Sequence, residues 1–233
     1  MNLSTVKKDG LPSLKVDPPP QASGRGRALI LCLAICSCAA EPTIRLQHDE
    51  DFGETGGRVW VRGPWESIQP AGDIDVVIDQ LCPAVMKLER ARDGDNGLEY
   101  CGLLYTLPDG RFYASVPSPI PLSEHRRRGP VKSCRMPSSI RDERGPIEVL
   151  ADYHGHPWYN STLSFGDMRS GNQRYSIRIQ FQTTCRVLKL VPHRDEPTPG
   201  EVYLRTGRTW RLVAIIPNDA KGKGEPLPSL EEP

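Results

Sequence analysis

The chain has 233 residues, of which 37% are hydrophobic, with 23 prolines and 21 glycines. This length and composition favour one domain with a modest core and many loops, and allow a second domain only if both are small. The formal net charge of +1 excludes a general electrostatic attraction to nucleic acid or to anionic membranes.

The N-terminal part of the chain contains an apolar run over residues 28–37 that follows two arginines. The run is too short to span a membrane and is typical of an export signal. It ends in a motif that resembles the bacterial lipobox, with Cys38 as the lipidated first residue of a membrane-anchored protein. We therefore predict that residues 1–40 are a leader and signal peptide. The alternatives are cleavage near Ala40, which would give a periplasmic or secreted protein, and a short buried helix over residues 28–38.

The next part of the chain carries the first predicted elements. Residues 41–72 look like a linker with one short strand at residues 58–62, where charged and apolar side chains alternate. From residue 73, apolar side chains recur at three- and four-residue spacing. This spacing predicts a helix over residues 74–88 that Pro83 kinks or restarts.

The rest of the chain alternates between predicted strands and loops. Strands at residues 98–106 and 111–116 are predicted to form a hairpin. Residues 117–145, with the basic cluster Arg126–Arg128, lack periodicity and are predicted to be a long solvated surface loop. Residues 217–233 are expected to be a disordered tail. Further strands are predicted at residues 147–153, 176–182, 185–191, 201–206 and 210–216.

Four cysteines would remain after removal of the leader: Cys82, Cys101, Cys134 and Cys185. In an exported protein they could form two disulfides, for which the sequence allows three connectivities. Four buried, unpaired cysteines are the alternative. Because no C-x-x-C pair occurs, a zinc site built from cysteines is not expected.

The most informative stretch contains His154 and His156, followed by Ser164 and Asp167. In an extended segment alternate residues point to the same side, so the two imidazoles should lie on one side of the segment. An aspartate eleven residues after the second histidine could return to the same point from the first turn of a helix. Two imidazoles and a carboxylate are zinc ligands that leave the fourth tetrahedral position open, as in a catalytic site. Iron, cobalt and nickel also accept such ligands, and zinc is the default for redox-inert hydrolysis.

The serine and the aspartate of this stretch allow a second interpretation. Ser164 followed three residues later by Asp167 is a helix-start pattern, in which both residues cap a helix. Asp152, two residues before His154, could orient an imidazole from outside the ligand set, with an ordinary surface acid as the alternative. Trp158 and Tyr159 could form a wall of a substrate cleft, although ordinary packing is the favoured interpretation.

The motif H-x-H-P-x6-S-x2-D, formed here by His154, His156, Ser164 and Asp167, is preceded by Glu99 in an E-x-x-G-x-L context. Together they resemble the signature of the JAMM metallopeptidases, also called the JAB or MPN+ family. The resemblance covers roughly residues 73–216. Within this family, the chain is similar to the prokaryotic secreted JAB-like group. It implies an α/β fold in which helices flank a mixed, curved β-sheet, a layering like that of cytidine deaminases.

The resemblance implies an exported zinc-dependent hydrolase that cleaves peptide or isopeptide bonds with metal-activated water. His154, His156 and Asp167 would bind Zn²⁺, Glu99 would act as general base and then acid, and Ser164 would donate a hydrogen bond to the oxyanion. The partner would be a peptide or protein substrate, with no nucleic acid and no membrane contact beyond the lipid anchor. A JAB-like binding or scaffold module without turnover and a secreted effector or toxin domain are the alternatives. The oligomeric state stays open.

Overall fold

The computed structural model describes residues 43–122, 133–159, 163–169 and 174–222. The predicted leader, its Cys38 and the basic cluster lie outside these residues. The described chain is a mixed α/β protein in which β-structure dominates. Its helices are α1 (Ile74–Val85) and the single turn α2 (Phe165–Met168). The strands are β1 (Phe52–Thr55), β2 (Arg58–Arg62), β3 (Tyr100–Thr106), β4 (Phe112–Ala114), β5 (Ser139–Arg141), β6 (Glu148–Gly155), β7 (Ile177–Phe181), β8 (Val187–Val191), β9 (Gly200–Thr206) and β10 (Thr209–Ile216).

The main sheet has seven strands in the order β10-β9-β8-β7-β6-β3-β4. Its neighbouring strands are antiparallel except β6 and β7, which are parallel. Parallel neighbours need a crossover rather than a tight turn. The connection between β6 and β7 carries α2, so the topology brings this turn back to the sheet beside β6.

A second sheet of three strands, in the order β1-β2-β5, corrects two sequence predictions. Residues 41–72 are not a linker as far as they are described, because β1 and β2 form a hairpin. Gly56 and Gly57, with φ of 58° and 73°, make the tight turn that this hairpin needs. Trp65 and Ile68 then enter the main core. The predicted surface loop 117–145 is also not free of regular structure, since it contains β5, which pairs with β2.

Helix α1 covers one face of the main sheet. It begins after Asp73, whose carboxylate accepts a hydrogen bond from the Asp75 N–H at 2.9 Å. Its buried side chains, among them Val77, Ile78 and Leu81, belong to the core cluster shared with the sheet. Each such side chain contributes roughly 1.5–3 kcal/mol by leaving water. Helix α1 ends at Val85 instead of continuing to residue 88. Beyond it, the N–H groups of Lys87 and Leu88 donate to carbonyls three residues earlier, which closes turns instead of a further α-helical turn. No helix in the described ranges is long and apolar enough to cross a membrane.

Two disulfides link the described cysteines, Cys82 to Cys185 and Cys101 to Cys134. The alternative of four unpaired cysteines is therefore wrong. The first disulfide ties α1 to the connection between β7 and β8, and the second ties β3 to the segment before β5. They close loops of 103 and 33 residues, for which the chain-entropy model gives roughly 4–5 kcal/mol of stabilisation each.

The end of the described chain also differs from its prediction. Residues 217–222 belong to the predicted disordered tail, yet Ala220 and Lys221 are buried. The Lys221 ammonium donates to the backbone carbonyls of His193 and Thr198, at 2.6 and 2.5 Å. These bonds satisfy a buried charge and hold the segment in place. The remainder of the predicted tail lies outside the described residues.

The glycine of the E-x-x-G motif has a packing role. Gly102 in β3 lies opposite Tyr153 in β6, and a Cβ at this position would overlap the tyrosine ring. The ring cannot easily move, because Tyr153 is fully buried and its hydroxyl donates to the Ser115 carbonyl at 2.7 Å.

We therefore expect Gly102→Ala to destabilise the protein by about 1–3 kcal/mol, the usual cost of overpacking a core. Gly72→Ala is the control, since no atom lies within 4 Å of its added Cβ. The control should change stability by less than about 1 kcal/mol. Urea denaturation measures both variants, and equal stability of the two would contradict this account of Gly102.

Candidate metal centre

The two histidines lie at the carboxyl end of β6, in the middle of the main sheet. His154 is in the strand, opposite Cys101 of β3 and beside Gln180 of β7. His156 follows one residue after the strand ends, and its N–H donates to the Phe181 carbonyl at 2.8 Å. Both rings are buried, and their centroids are 4.9 Å apart. The extended backbone thus turns both imidazoles to the same side, as the sequence predicts.

Helix α2 carries Asp167, the third residue of the predicted metal site. Ser164 is its N-cap residue: its hydroxyl oxygen accepts from the Asp167 N–H at 3.2 Å. In return, Oδ2 of Asp167 accepts from the Ser164 N–H at 2.9 Å and from the Ser164 hydroxyl at 2.6 Å. This is a capping box. The capping interpretation of the two residues therefore holds, and the same contacts fix the carboxylate that faces the histidines.

His154, His156 and Asp167 come together, with their ligand atoms all within 4.8 Å of one another. Nε2 of His154 lies 3.2 Å from Oδ1 of Asp167, and Nε2 of His156 lies 3.8 Å from Oδ2. Ligand atoms that surround a tetrahedral zinc ion at about 2.0–2.2 Å are separated by roughly 3.3–3.5 Å. The two separations from Asp167 are close to this range.

His154 offers a separate test of whether a metal ion fits. Its ring is buried, yet neither ring nitrogen has a hydrogen-bond partner among the described residues. Although Oδ1 of Asp167 is near, the contact lacks the alignment of a hydrogen bond. A buried polar group left without such a partner costs about 1–3 kcal/mol. A metal ion on Nε2 would satisfy this atom, so the donor set fits a zinc ion.

Glu99, the predicted base, lies beside this group. It immediately precedes β3, and its side chain is buried. Oε1 lies 3.7 Å from Nε2 of His156, and Oε2 accepts a hydrogen bond from the Cys134 N–H at 3.3 Å. The structure therefore brings a carboxylate next to the three ligands, while Ser164 contacts Asp167.

Two residues of the site are absent from the sequence prediction. Arg178 in β7 is buried and donates to both carboxylate oxygens of Asp152, at 2.8 and 3.0 Å. It also donates to the backbone carbonyl of Asp167 at 3.3 Å, which ties α2 to the sheet. Nε2 of Gln180, also in β7, lies 3.2 Å from Nδ1 of His156 and leaves Nε2 of that ring to face the acids. The sequence does contain a pattern that could have identified both residues. Arg178 and Gln180 alternate with apolar residues in β7, which places their side chains on the same face of the sheet.

Asp152 differs from both interpretations offered by the sequence. It is 1% exposed, so it is not a surface acid. Its carboxylate binds Arg178 instead of orienting an imidazole. Burial of a carboxylate requires a partner of opposite charge, and the guanidinium one strand away provides it. Asp152 acts on the site through Arg178.

The aromatic residues after the histidines have different environments. The indole N–H of Trp158 donates to Oδ1 of Asp95 at 2.9 Å, and its ring meets that of His156 edge-on with centroids 6.3 Å apart. Ordinary packing therefore describes Trp158. Tyr159 does not pack in this way, because it is 69% exposed.

The charges of the site set the pKa values of its ligands. Burial alone would lower the pKa of His154, but the Asp167 carboxylate outweighs burial and raises it. Burial and then the neighbouring His154 lower the pKa of His156 to about 3. Burial would raise the pKa of Asp167, whereas the two histidines hold it well below its usual range. Near neutral pH, His156 is therefore neutral and Asp167 is ionised, and His154, with its raised pKa, is the candidate ligand that takes up a proton first as the pH falls.

One proton should therefore compete with a metal ion, because only a neutral imidazole is a ligand. We expect the apparent zinc affinity to be independent of pH above the raised pKa of His154. It should fall as the pH drops through that pKa, which lies above the ordinary value of about 6.5. The slope should be near one logarithmic unit per pH unit. Zinc titrations of metal-free protein between about pH 5 and 8 measure this slope. A slope near two would contradict the assignment of a single competing proton.

Comparison with known proteins returned no match, either to a family model, to a curated protein or to a solved structure.

Proposed function

We propose that this protein is an exported zinc-dependent hydrolase of the JAMM type that cleaves peptide or isopeptide bonds. One observation carries the proposal: His154, His156 and Asp167 place their ligand atoms within 4.8 Å of one another, beside the buried carboxylate of Glu99. Three protein ligands with a fourth position open are the arrangement of catalytic zinc. A structural zinc site would need a fourth protein ligand.

Each residue then has a chemical task. Zinc bound here would supply an acidified water molecule and polarise the scissile carbonyl. Glu99 takes a proton from the attacking water and passes it to the leaving nitrogen. Its position 3.7 Å from His156 supports this role. Arg178 and Gln180 hold the ligands in place, since they contact Asp167 and His156.

Ser164 would both position Asp167 and donate a hydrogen bond to the oxyanion, and these two roles compete for one hydroxyl proton. Its single hydroxyl proton is donated to Oδ2 of Asp167. To donate to the oxyanion of the reaction, it would have to release that bond. We assign it the positioning of Asp167 in the resting site, and the oxyanion bond in the reacting one.

The proposed fold is that of the JAB/MPN domain. Support comes from the placement of the site residues on the observed elements. Glu99 precedes β3, the histidines end the adjacent β6, and Asp167 follows on the crossover to β7. Helix α1 covers one face of the same sheet. These are the parts in which the family resemblance lies.

The two disulfides support the proposed export, as a lipoprotein anchored at Cys38 or as a periplasmic or secreted protein. Disulfides form and persist in oxidising compartments and are rare in the cytosol. All four cysteines that follow the predicted signal are paired.

A cleavage screen tests the proposed activity. Protein loaded with zinc is incubated with a panel of peptides and lysine-linked isopeptides, and the products are identified by mass spectrometry. We expect cleavage that disappears after chelation and returns when zinc is added back. A binding or scaffold module, whose site would hold metal weakly or not at all, would bind peptides without cutting any of them. That outcome would contradict the proposal.

A further inference from the structure

The predicted base is held by a segment distant in sequence. Oε2 of Glu99 accepts from the N–H of Cys134, which lies 35 residues further along the chain. A backbone N–H is a strong donor to a carboxylate. This bond directs Oε2 toward the segment, while Oε1 faces His156 at 3.7 Å. The position of Cys134 therefore contributes to the orientation of the carboxylate.

The segment that contains Cys134 has little regular structure to hold it. Residues 133–138 lie outside the strands, and the β-type pairing of Cys134 in the described residues is an isolated bridge to Pro121. Two backbone bonds flank it, from Leu122 to the Ser133 carbonyl and from Arg135 to the Ile120 carbonyl. Short irregular segments of this kind open locally at low free-energy cost.

The second disulfide is the covalent link between this segment and the main sheet. Cys134 is bonded to Cys101 in β3, two residues after Glu99, with the two Cα atoms 5.7 Å apart. Cys101 lies opposite His154 in the middle of the sheet. The covalent link thus runs from the strand next to Glu99 to the residue whose N–H binds Glu99.

We infer that Cys101–Cys134 is a positioning disulfide, which holds the Cys134 N–H against Glu99 and thereby fixes the base of the proposed hydrolase. The inference rests on the proposed function for its kinetic consequence. Cys82–Cys185 provides a matched comparison, because it also joins two distant segments, helix α1 and the connection between β7 and β8. Breaking either link removes its entropic restraint on the unfolded chain and so destabilises the fold, whereas breaking only the first frees the residue whose N–H binds Glu99.

The test compares Cys101→Ser/Cys134→Ser with Cys82→Ser/Cys185→Ser, both in the full chain and at a temperature where circular dichroism shows both folded. The site variant should lose at least about tenfold in kcat, as expected for a displaced catalytic group, with KM changed by less than about threefold. Its zinc content should stay that of the wild type. The matched variant should keep kcat within about threefold. Equal losses of kcat in the two variants, or loss of zinc in the site variant, would overturn the inference.

A double-mutant cycle separates positioning from general destabilisation. In a Glu99→Gln background, removal of Cys101–Cys134 should cause no further loss of rate, because the base is already absent. The same fractional loss in both backgrounds would overturn the inference. If no substrate is cleaved, the proposed function fails, and hydrogen exchange of the Cys134 amide still tests the contact. Glu99→Ala should speed that exchange at least about tenfold, and unchanged exchange would overturn the inference.

Discussion

Replacing Glu99 by glutamine should lower kcat by roughly 10²–10⁴-fold, the usual contribution of a general base. Glutamine has nearly the same shape and can still accept a hydrogen bond from the Cys134 N–H. It cannot take a proton from water. Binding of zinc should be unchanged, because the three ligands are untouched. The loss should therefore appear in kcat with little change in KM.

The control for this variant is Glu148→Gln, which changes an exposed glutamate at the start of β6. It should retain the activity of the wild type. Steady-state kinetics on a peptide from the cleavage screen, together with zinc analysis of each protein, measure the difference. Glu99→Gln with wild-type turnover would exclude Glu99 as the base, and loss of its zinc would show that Glu99 is a ligand instead.

Removing one ligand should abolish stabilisation by zinc. A ligand that binds only the folded state at 100 times its Kd stabilises that state by about 2.7 kcal/mol. The wild type should gain this amount, seen as a rise in Tm with added zinc. His154→Ala removes a buried candidate ligand whose ring nitrogens have no hydrogen-bond partner in the described part of the chain, so its Tm should no longer respond.

His48→Ala is the control, since its histidine lies on the surface with a side chain 59% exposed. Its Tm should respond to zinc as the wild type does. Differential scanning calorimetry of metal-free protein, with and without zinc, provides the comparison. A response of His154→Ala equal to that of the control would show that zinc binds elsewhere.

The parts of the fold with clear periodicity are predictable from the sequence. Strand β2 has the predicted bounds, and each predicted strand from residue 98 onward corresponds to an observed one within about three residues. The positions of the site residues are also predictable, because they follow from local sequence patterns. The spacing of His154 and His156 on a strand fixes their common direction, and the capping pattern of Ser164 and Asp167 fixes the start of α2.

The unpredicted parts depend on contacts between segments distant in sequence. The turn at Gly56 and Gly57 has a composition shared by linkers and hairpins, and pairing with β5 decides between them. The partner of Asp152 lies on a strand 26 residues away, and only the register of β6 and β7 brings Arg178 beside it. No local pattern encodes such a register.

The pairing of cysteines is unpredictable for the same reason, since four cysteines allow three connectivities. Only the folded chain brings Cys101 next to Cys134. The hydrogen bond from Cys134 to Glu99 then follows from that pairing, so this contact of the site is not visible in the motif itself.

The most direct test of the account is elemental analysis of the purified protein, supplied with zinc and then dialysed. His154→Ala/His156→Ala is analysed beside it. We predict about one zinc ion per chain in the wild type, as three protein ligands of a catalytic site require, and none in the variant. Wild-type protein that holds no zinc after this treatment would contradict the metal centre and the hydrolase proposed on it.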